Sequence, residues 1–111
     1  MKHLLSIEQL TDDEIGWLID SAAHLKATRG RGGQPLAGQT WALIFTKSST
    51  RTRVSFEVGI RELGGFPMFL SKNDIQLGRG ELIKDTARVL GRMVHGAVIR
   101  TYAQSDVVQF A

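Results

Sequence analysis

The run Thr40-Trp41-Ala42-Leu43-Ile44-Phe45 most limits what this chain can become. After its first residue it is apolar throughout, without the polar alternation of a strand that faces water on one side. It therefore predicts a strand covered on both faces, as parallel strands are. A connection rich in Gly, with one Pro, occupies 29–38 before it, and a polar, hydroxyl-rich segment follows over 46–50. Two more strand-length segments lie downstream, at 66–70 and at 97–102. Pro67 lacks a ladder donor, so the first of these is expected to start a strand at that point or to lie at a sheet edge.

Helical spacing fills the gaps. Thr11-Asp12-Asp13-Glu14 is a capping-box pattern, and Ile15, Leu18, Ile19, Ala22 and Leu25 follow it along one apolar face. A second helix is predicted over 51–63, with Phe56, Gly59, Ile60 and Leu63 as its buried stripe and Gly64-Gly65 as its stop. A polar loop over 71–80 precedes a third helix over 81–94, with Ile83, Ala87, Leu90 and Val94 on one face. Ser105-Asp106 reads as the cap of a fourth helix carrying Val107, Val108 and Phe110. Trp17 and Trp41 are expected in the core. The order α-β-α-β-α-β-α predicts an α/β fold, a three-layer domain around a parallel sheet with right-handed crossovers. At 111 residues this is one domain. The sequence stops about two turns into the last helix, and a truncated piece of a longer chain is expected.

Composition removes several classes of function. With 42% hydrophobic and 23% charged residues the chain is ordinary for a soluble globular protein. No apolar run reaches the roughly 18–20 residues of a membrane span, and the N-terminus quickly turns acidic rather than continuing as a signal peptide. With no cysteine there is neither a disulfide framework nor a thiolate metal site, which suits the cytoplasm. His3, His24 and His95 have no metal-ligand spacing, so no metal site is expected of them. The net charge is only +3, and arginines outnumber lysines but are spread along the chain. Nucleic-acid binding usually needs a clustered basic face, so none is expected. Arg29-Gly30-Arg31-Gly32-Gly33 is expected to be a connection rather than an RNA contact.

Chemistry concentrates in Lys47-Ser48-Ser49-Thr50-Arg51-Thr52-Arg53-Val54-Ser55-Phe56-Glu57, where a buried strand gives way to a helix. Ligands of open parallel sheets bind outside the carboxyl ends of the strands. A helix start there offers free N–H groups and a positive dipole end to an anion. Ser49, Thr50 and Thr52 add hydroxyls and Arg51 adds charge, although Gly-x-x-x-x-Gly-Lys-Ser/Thr is absent. Residues two apart on a helix lie roughly 200° apart around its axis, so Arg51 and Arg53 do not share one ligand. Arg51 is assigned to the anion, and Arg53 to a structural pairing with Glu57 four residues on; Glu57 can also reach Arg61. By composition alone, hydroxyls at a helix start are simply caps.

The five consecutive residues Ser49-Thr50-Arg51-Thr52-Arg53, followed by Ser55-Phe56-Glu57, closely resemble the carbamoyl-phosphate signature of the transcarbamoylases. The resemblance extends from about Leu5 to Ala111. It implies the carbamoyl-phosphate-binding, N-terminal half of a two-domain enzyme, with Ser49, Thr50, Arg51 and Thr52 on the phosphate. Arg100 matches the family arginine that reaches the carbamoyl oxygen, where attack on the carbonyl develops negative charge that a fixed cation stabilises.

A second stretch, Asp74-Ile75-Gln76-Leu77-Gly78-Arg79-Gly80-Glu81 with Asp85-Thr86-Ala87-Arg88-Val89-Leu90, resembles the ornithine-using members more than the aspartate-using ones. The latter usually carry a lysine-bearing loop here and a His after the arginine, where this chain has Thr101. The resemblance implies a homotrimer in which Gln76 reaches carbamoyl phosphate in the neighbouring subunit. Gly80 stands where some relatives have Lys, and Arg79 is a possible replacement. The family's His-Pro-x-Gln segment and its ornithine-binding residues would fall beyond Ala111. The expected function is carbamoyl transfer to ornithine, by a chain that supplies only the carbamoyl-phosphate site and is inactive alone. The alternatives are transfer to aspartate, putrescine or an acylated ornithine, or a non-catalytic anion- or RNA-binding module.

Overall fold

A computed structural model describes residues 3–47, 49–71, 83–101 and 104–111. They fall into two compact units, Met1–Gly33 and Gln34–Ala111.

The first unit is built on helix α1, Asp12–Ala27. Thr11 Oγ1 accepts from the Glu14 N–H at 3.1 Å while Glu14 accepts from the Thr11 N–H at 2.9 Å, closing the capping box. The Thr11 N–H, and after it the Thr11 hydroxyl, hold the Glu14 carboxyl below its ordinary pKa, because hydrogen bonds to the carboxylate favour the ionised form. Asp12, Asp13 and Glu14 occupy the first turn, and His24 and Lys26 the last, matching the helix dipole. A 3-10 turn, Ile7–Gln9, precedes α1, and there Gln9 Oε1 accepts from the Leu5 N–H at 2.7 Å. The expected placing of Trp17 in the core is wrong: it is 68% exposed, and no residue of α1 is buried. Leu18, Ile19 and Leu25 of the predicted apolar face are exposed as well, because one helix and one turn offer no second layer within this unit.

The second unit carries β1 (Thr40–Phe45), α2 (Thr50–Glu62), β2 (Phe66–Ser71), α3 (Ile83–Gly91), β3 (Gly96–Arg100) and α4 (Gln104–Phe110). Among the described residues the strands form one parallel sheet in the order β2-β1-β3. The apolar run therefore lies in the middle, and Ala42, Leu43 and Ile44 are completely buried. Burying a side chain such as Leu43 or Ile44 contributes about 1.5–3 kcal/mol. Strand alternation splits the core into two layers. Ala42 and Ile44 pack with Met68, Leu70, Ala97, Ile99, Leu90, Val94 and Phe110, which places α3 and α4 on that face. Leu43 and Phe45 pack with Phe69, Val98 and Ile60 of α2 on the other.

Local chemistry sets the boundaries. Gly64, at φ 91°, takes the left-handed conformation that ends α2. Pro67 is the second residue of β2, an edge strand of the described sheet. Trp41 lies against Gly96, its register partner on β3, and donates its indole N–H to Gln39 at 2.9 Å. Next to this pair the Thr40 N–H donates to His95 Nδ1 at 3.1 Å, and the His95 N–H returns a bond to the Thr40 carbonyl at 2.9 Å. Two expectations need correction. Phe56 is 41% exposed, because the sheet-facing stripe of α2 runs through Arg53, Glu57 and Ile60 at i, i+4 and i+7. Ser105 lies inside α4 rather than capping it, and Asp106 instead accepts from the Thr101 hydroxyl at 2.9 Å.

Candidate anion-binding site

At the carboxyl edge of the sheet β1 ends on Phe45, whose register partner on β3 is Arg100. The chain then turns through Thr46 and Lys47 toward α2. Both of their N–H groups donate to the Arg100 carbonyl, at 2.9 and 3.4 Å, so the β1–α2 loop is tied to the last residue of β3. Ser49 is the N-cap of α2: its Oγ accepts from the Thr52 N–H at 3.4 Å and donates to Thr52 Oγ1 at 2.9 Å.

The helical ladder begins only with the Arg53 N–H donating to the Ser49 carbonyl at 3.0 Å. The amides of Thr50 and Arg51 therefore have no acceptor within the helix. The first turn of α2 holds no acidic residue, whereas that of α1 holds Asp12, Asp13 and Glu14. Arg51 instead adds a positive charge to the positive end of the dipole, an arrangement that disfavours the helix unless an anion offsets it. A helix start of this kind, with exposed Thr50 and Arg51, can receive an anion.

Arg53 points elsewhere. Its Nε lies 3.1 Å from Glu57 Oε1, and its guanidinium sits 3.6 Å from the centre of the Phe69 ring. Alternation from Val98 places Arg100 on the face of the sheet that α2 covers. Arg100 Nε is buried and has no hydrogen-bond partner among the described residues. Leaving a buried donor unpaired costs about 1–3 kcal/mol, which an incoming acceptor oxygen would recover.

Ser49, Thr50, Arg51, Thr52 and Arg100 thus share one sheet edge and one face, while Arg53 and Glu57 pair beneath the helix. Gln76, Arg79 and Gly80 lie outside the described residues. Among the described residues no group of three His, Asp or Glu is placed to hold a metal ion, and no helix is long and apolar enough to cross a membrane. Two features escaped the sequence reading: the main-chain tie between the loop and Arg100, and the ring beneath Arg53. Neither has a sequence signal, since one is backbone and the other depends on strand register.

The family described as aspartate/ornithine carbamoyltransferase, carbamoyl-P binding domain, matches residues 2–111. The chain is 72% identical to an ornithine carbamoyltransferase of Akkermansia muciniphila, over all of this chain and 37% of that protein. It is 58% identical to one of Caldicellulosiruptor saccharolyticus, again over all of this chain and 37% of the relative. Among solved structures, the ornithine carbamoyltransferase of Pyrococcus furiosus superimposes with a TM-score of 0.91 at 43% identity, covering 98% of this chain and 36% of that one. The anabolic enzyme of Campylobacter jejuni gives 0.90 at 44% identity, covering 99% and 35%. The chain therefore spans little more than a third of the length of the curated relatives it matches. Strand order, the acid-free helix start and these likenesses agree: the chain belongs to the aspartate/ornithine carbamoyltransferase family, as its carbamoyl-phosphate-binding domain.

Proposed function

We propose that the whole protein is an ornithine carbamoyltransferase, moving the carbamoyl group of carbamoyl phosphate to the side-chain amine of L-ornithine to give L-citrulline and phosphate. This chain supplies the carbamoyl-phosphate site. The free amides of the α2 start, the hydroxyls of Ser49, Thr50 and Thr52, and Arg51 hold the phosphate. Arg100 faces the carbamoyl oxygen. The neutral amine attacks the carbonyl carbon, the carbonyl electron pair moves onto oxygen, and the tetrahedral intermediate carries its charge beside the Arg100 guanidinium. Collapse re-forms the carbonyl, breaks the carbon–oxygen bond to phosphate and leaves that dianion at the positive helix end. The proton that the attacking nitrogen loses passes to the leaving phosphate oxygen, so that phosphate departs as the hydrogen phosphate dianion and the charges balance. No metal or organic cofactor takes part.

Ornithine would be held by chain beyond Ala111, and Gln76 would reach the site of a neighbouring subunit in a homotrimer. A cytoplasmic location goes with this reading. The observation that carries it is the cationic, acid-free start of α2 on the same sheet face as Arg100 Nε, which is buried and has no partner among the described residues. The test is a titration of the chain with carbamoyl phosphate, followed by NMR. The amides of Thr50, Arg51 and Thr52 should move, and Arg51→Met and Arg100→Met should each weaken binding about tenfold or more. Perturbation confined to other amides, or unchanged affinity in both variants, would refute it. Mixed with ornithine and carbamoyl phosphate, the chain alone should form no more than traces of citrulline.

A further inference from the structure

We infer that Phe69 and Arg53 are positioning residues for the anion site: the Phe69 ring is the platform on which Arg53 sets the placement of the first turn of α2. The inference rests on the anion-site reading above. Three observations meet here. Arg53 belongs to the same turn as Thr50, Arg51 and Thr52, so its placement fixes theirs. Its guanidinium lies 3.6 Å from the Phe69 ring centre, and its Nε bonds to Glu57 at 3.1 Å. Phe69 in turn meets Phe45 edge-on, with ring centres 5.8 Å apart, and Phe45 is the register partner of Arg100.

A continuous path of packed groups thus joins the helix start to the strand end that carries Arg100. A charged residue on the inner stripe of a helix is otherwise hard to explain. Glu57 fixes the direction of the guanidinium and the ring fixes its height, because a planar cation over an aromatic face has a preferred separation that an aliphatic contact lacks. The same packing neutralises Arg53 with respect to ligand, leaving Arg51 as the arginine of this turn that is open to the anion.

The test compares the affinity of the chain for carbamoyl phosphate across wild type, Phe69→Leu, Phe69→Tyr and Arg53→Met, with thermal melting recorded for each. Phe69→Leu and Arg53→Met should bind about threefold to tenfold more weakly at temperatures where they remain folded. Phe69→Tyr, which keeps the aromatic face, should bind like wild type. The Arg53 side chain is only half-buried, so Arg53→Met keeps the test valid if Phe69→Leu does not fold. Wild-type affinity in folded Phe69→Leu or Arg53→Met overturns the inference, as does Phe69→Tyr binding no better than Phe69→Leu. If the wild type itself does not bind, the anion-site reading falls and takes this inference with it, a result separable from the others.

Discussion

Gly96 opens β3, and a methyl group there would strike the indole of its register partner Trp41: an ideal Cβ lies 2.6 Å from Cη2 and 2.7 Å from Cε3, and meets Cζ3 as well. Carbon atoms in good contact sit about 3.5–4.0 Å apart, so strand or ring must move by about 1 Å. Overpacking of this kind costs about 1–3 kcal/mol. Against it stands about 0.4–1 kcal/mol gained by removing the freedom of glycine in the unfolded chain. The net expectation for Gly96→Ala is a loss of about 1–2 kcal/mol, with Tm falling by about 4–8 °C for each kcal/mol. The decisive comparison is a four-protein cycle, with Trp41→Leu as the second background and urea unfolding as the assay. Without the indole the clash disappears, and Gly96→Ala should become neutral or stabilising. The reasoning is refuted if Gly96→Ala costs the same in both backgrounds, within about 0.5 kcal/mol.

Other expectations follow from single contacts. Ser49→Ala removes the cap of α2 and should cost about 1 kcal/mol by denaturant unfolding; unchanged stability would show that the cap contributes nothing. His95→Ala leaves the Thr40 N–H without its acceptor and should cost about 0.5–1.5 kcal/mol, while His95→Asn, with a side-chain oxygen close to the Nδ1 position, should lose less. The folded-state pKa of Glu14 is lowered, so its stabilisation is present above its unfolded value and is lost as pH falls through the folded one. Acidification through the carboxylate range should therefore lower the protection of the Thr11 amide against hydrogen exchange, taken relative to the intrinsic rate at each pH, and Glu14→Gln should remove that pH dependence.

Element order and boundaries were largely legible because each element carries its own local signal. The unbroken apolar run marked β1, and the structure places it at the centre of the sheet. The Thr11 and Glu14 pair marked the start of α1, and Gly64 the end of α2. Ser6-x-x-Gln9 is an equally readable signal for the 3-10 turn, whose capping box it closes. Two things were not legible. The exposure of Trp17 depends on whether a second layer exists, which helical periodicity does not report. The seat of Arg53 on Phe69 joins residues from different elements, and only strand register brings them together. At the proposed anion site the hydroxyls alone read as ordinary caps, and it is the run Ser49-Thr50-Arg51-Thr52-Arg53, with positive charge where a helix start favours acid, that sets the segment apart.

The tie between the β1–α2 loop and β3 runs to the carbonyl of Arg100, not to its guanidinium. Every amino acid presents that oxygen, so the loop can stay moored whichever side chain occupies the position. Scaffold and chemistry at this residue are thereby uncoupled. Evolution, or an engineer, can exchange the side chain without dismantling the turn that leads into the helix.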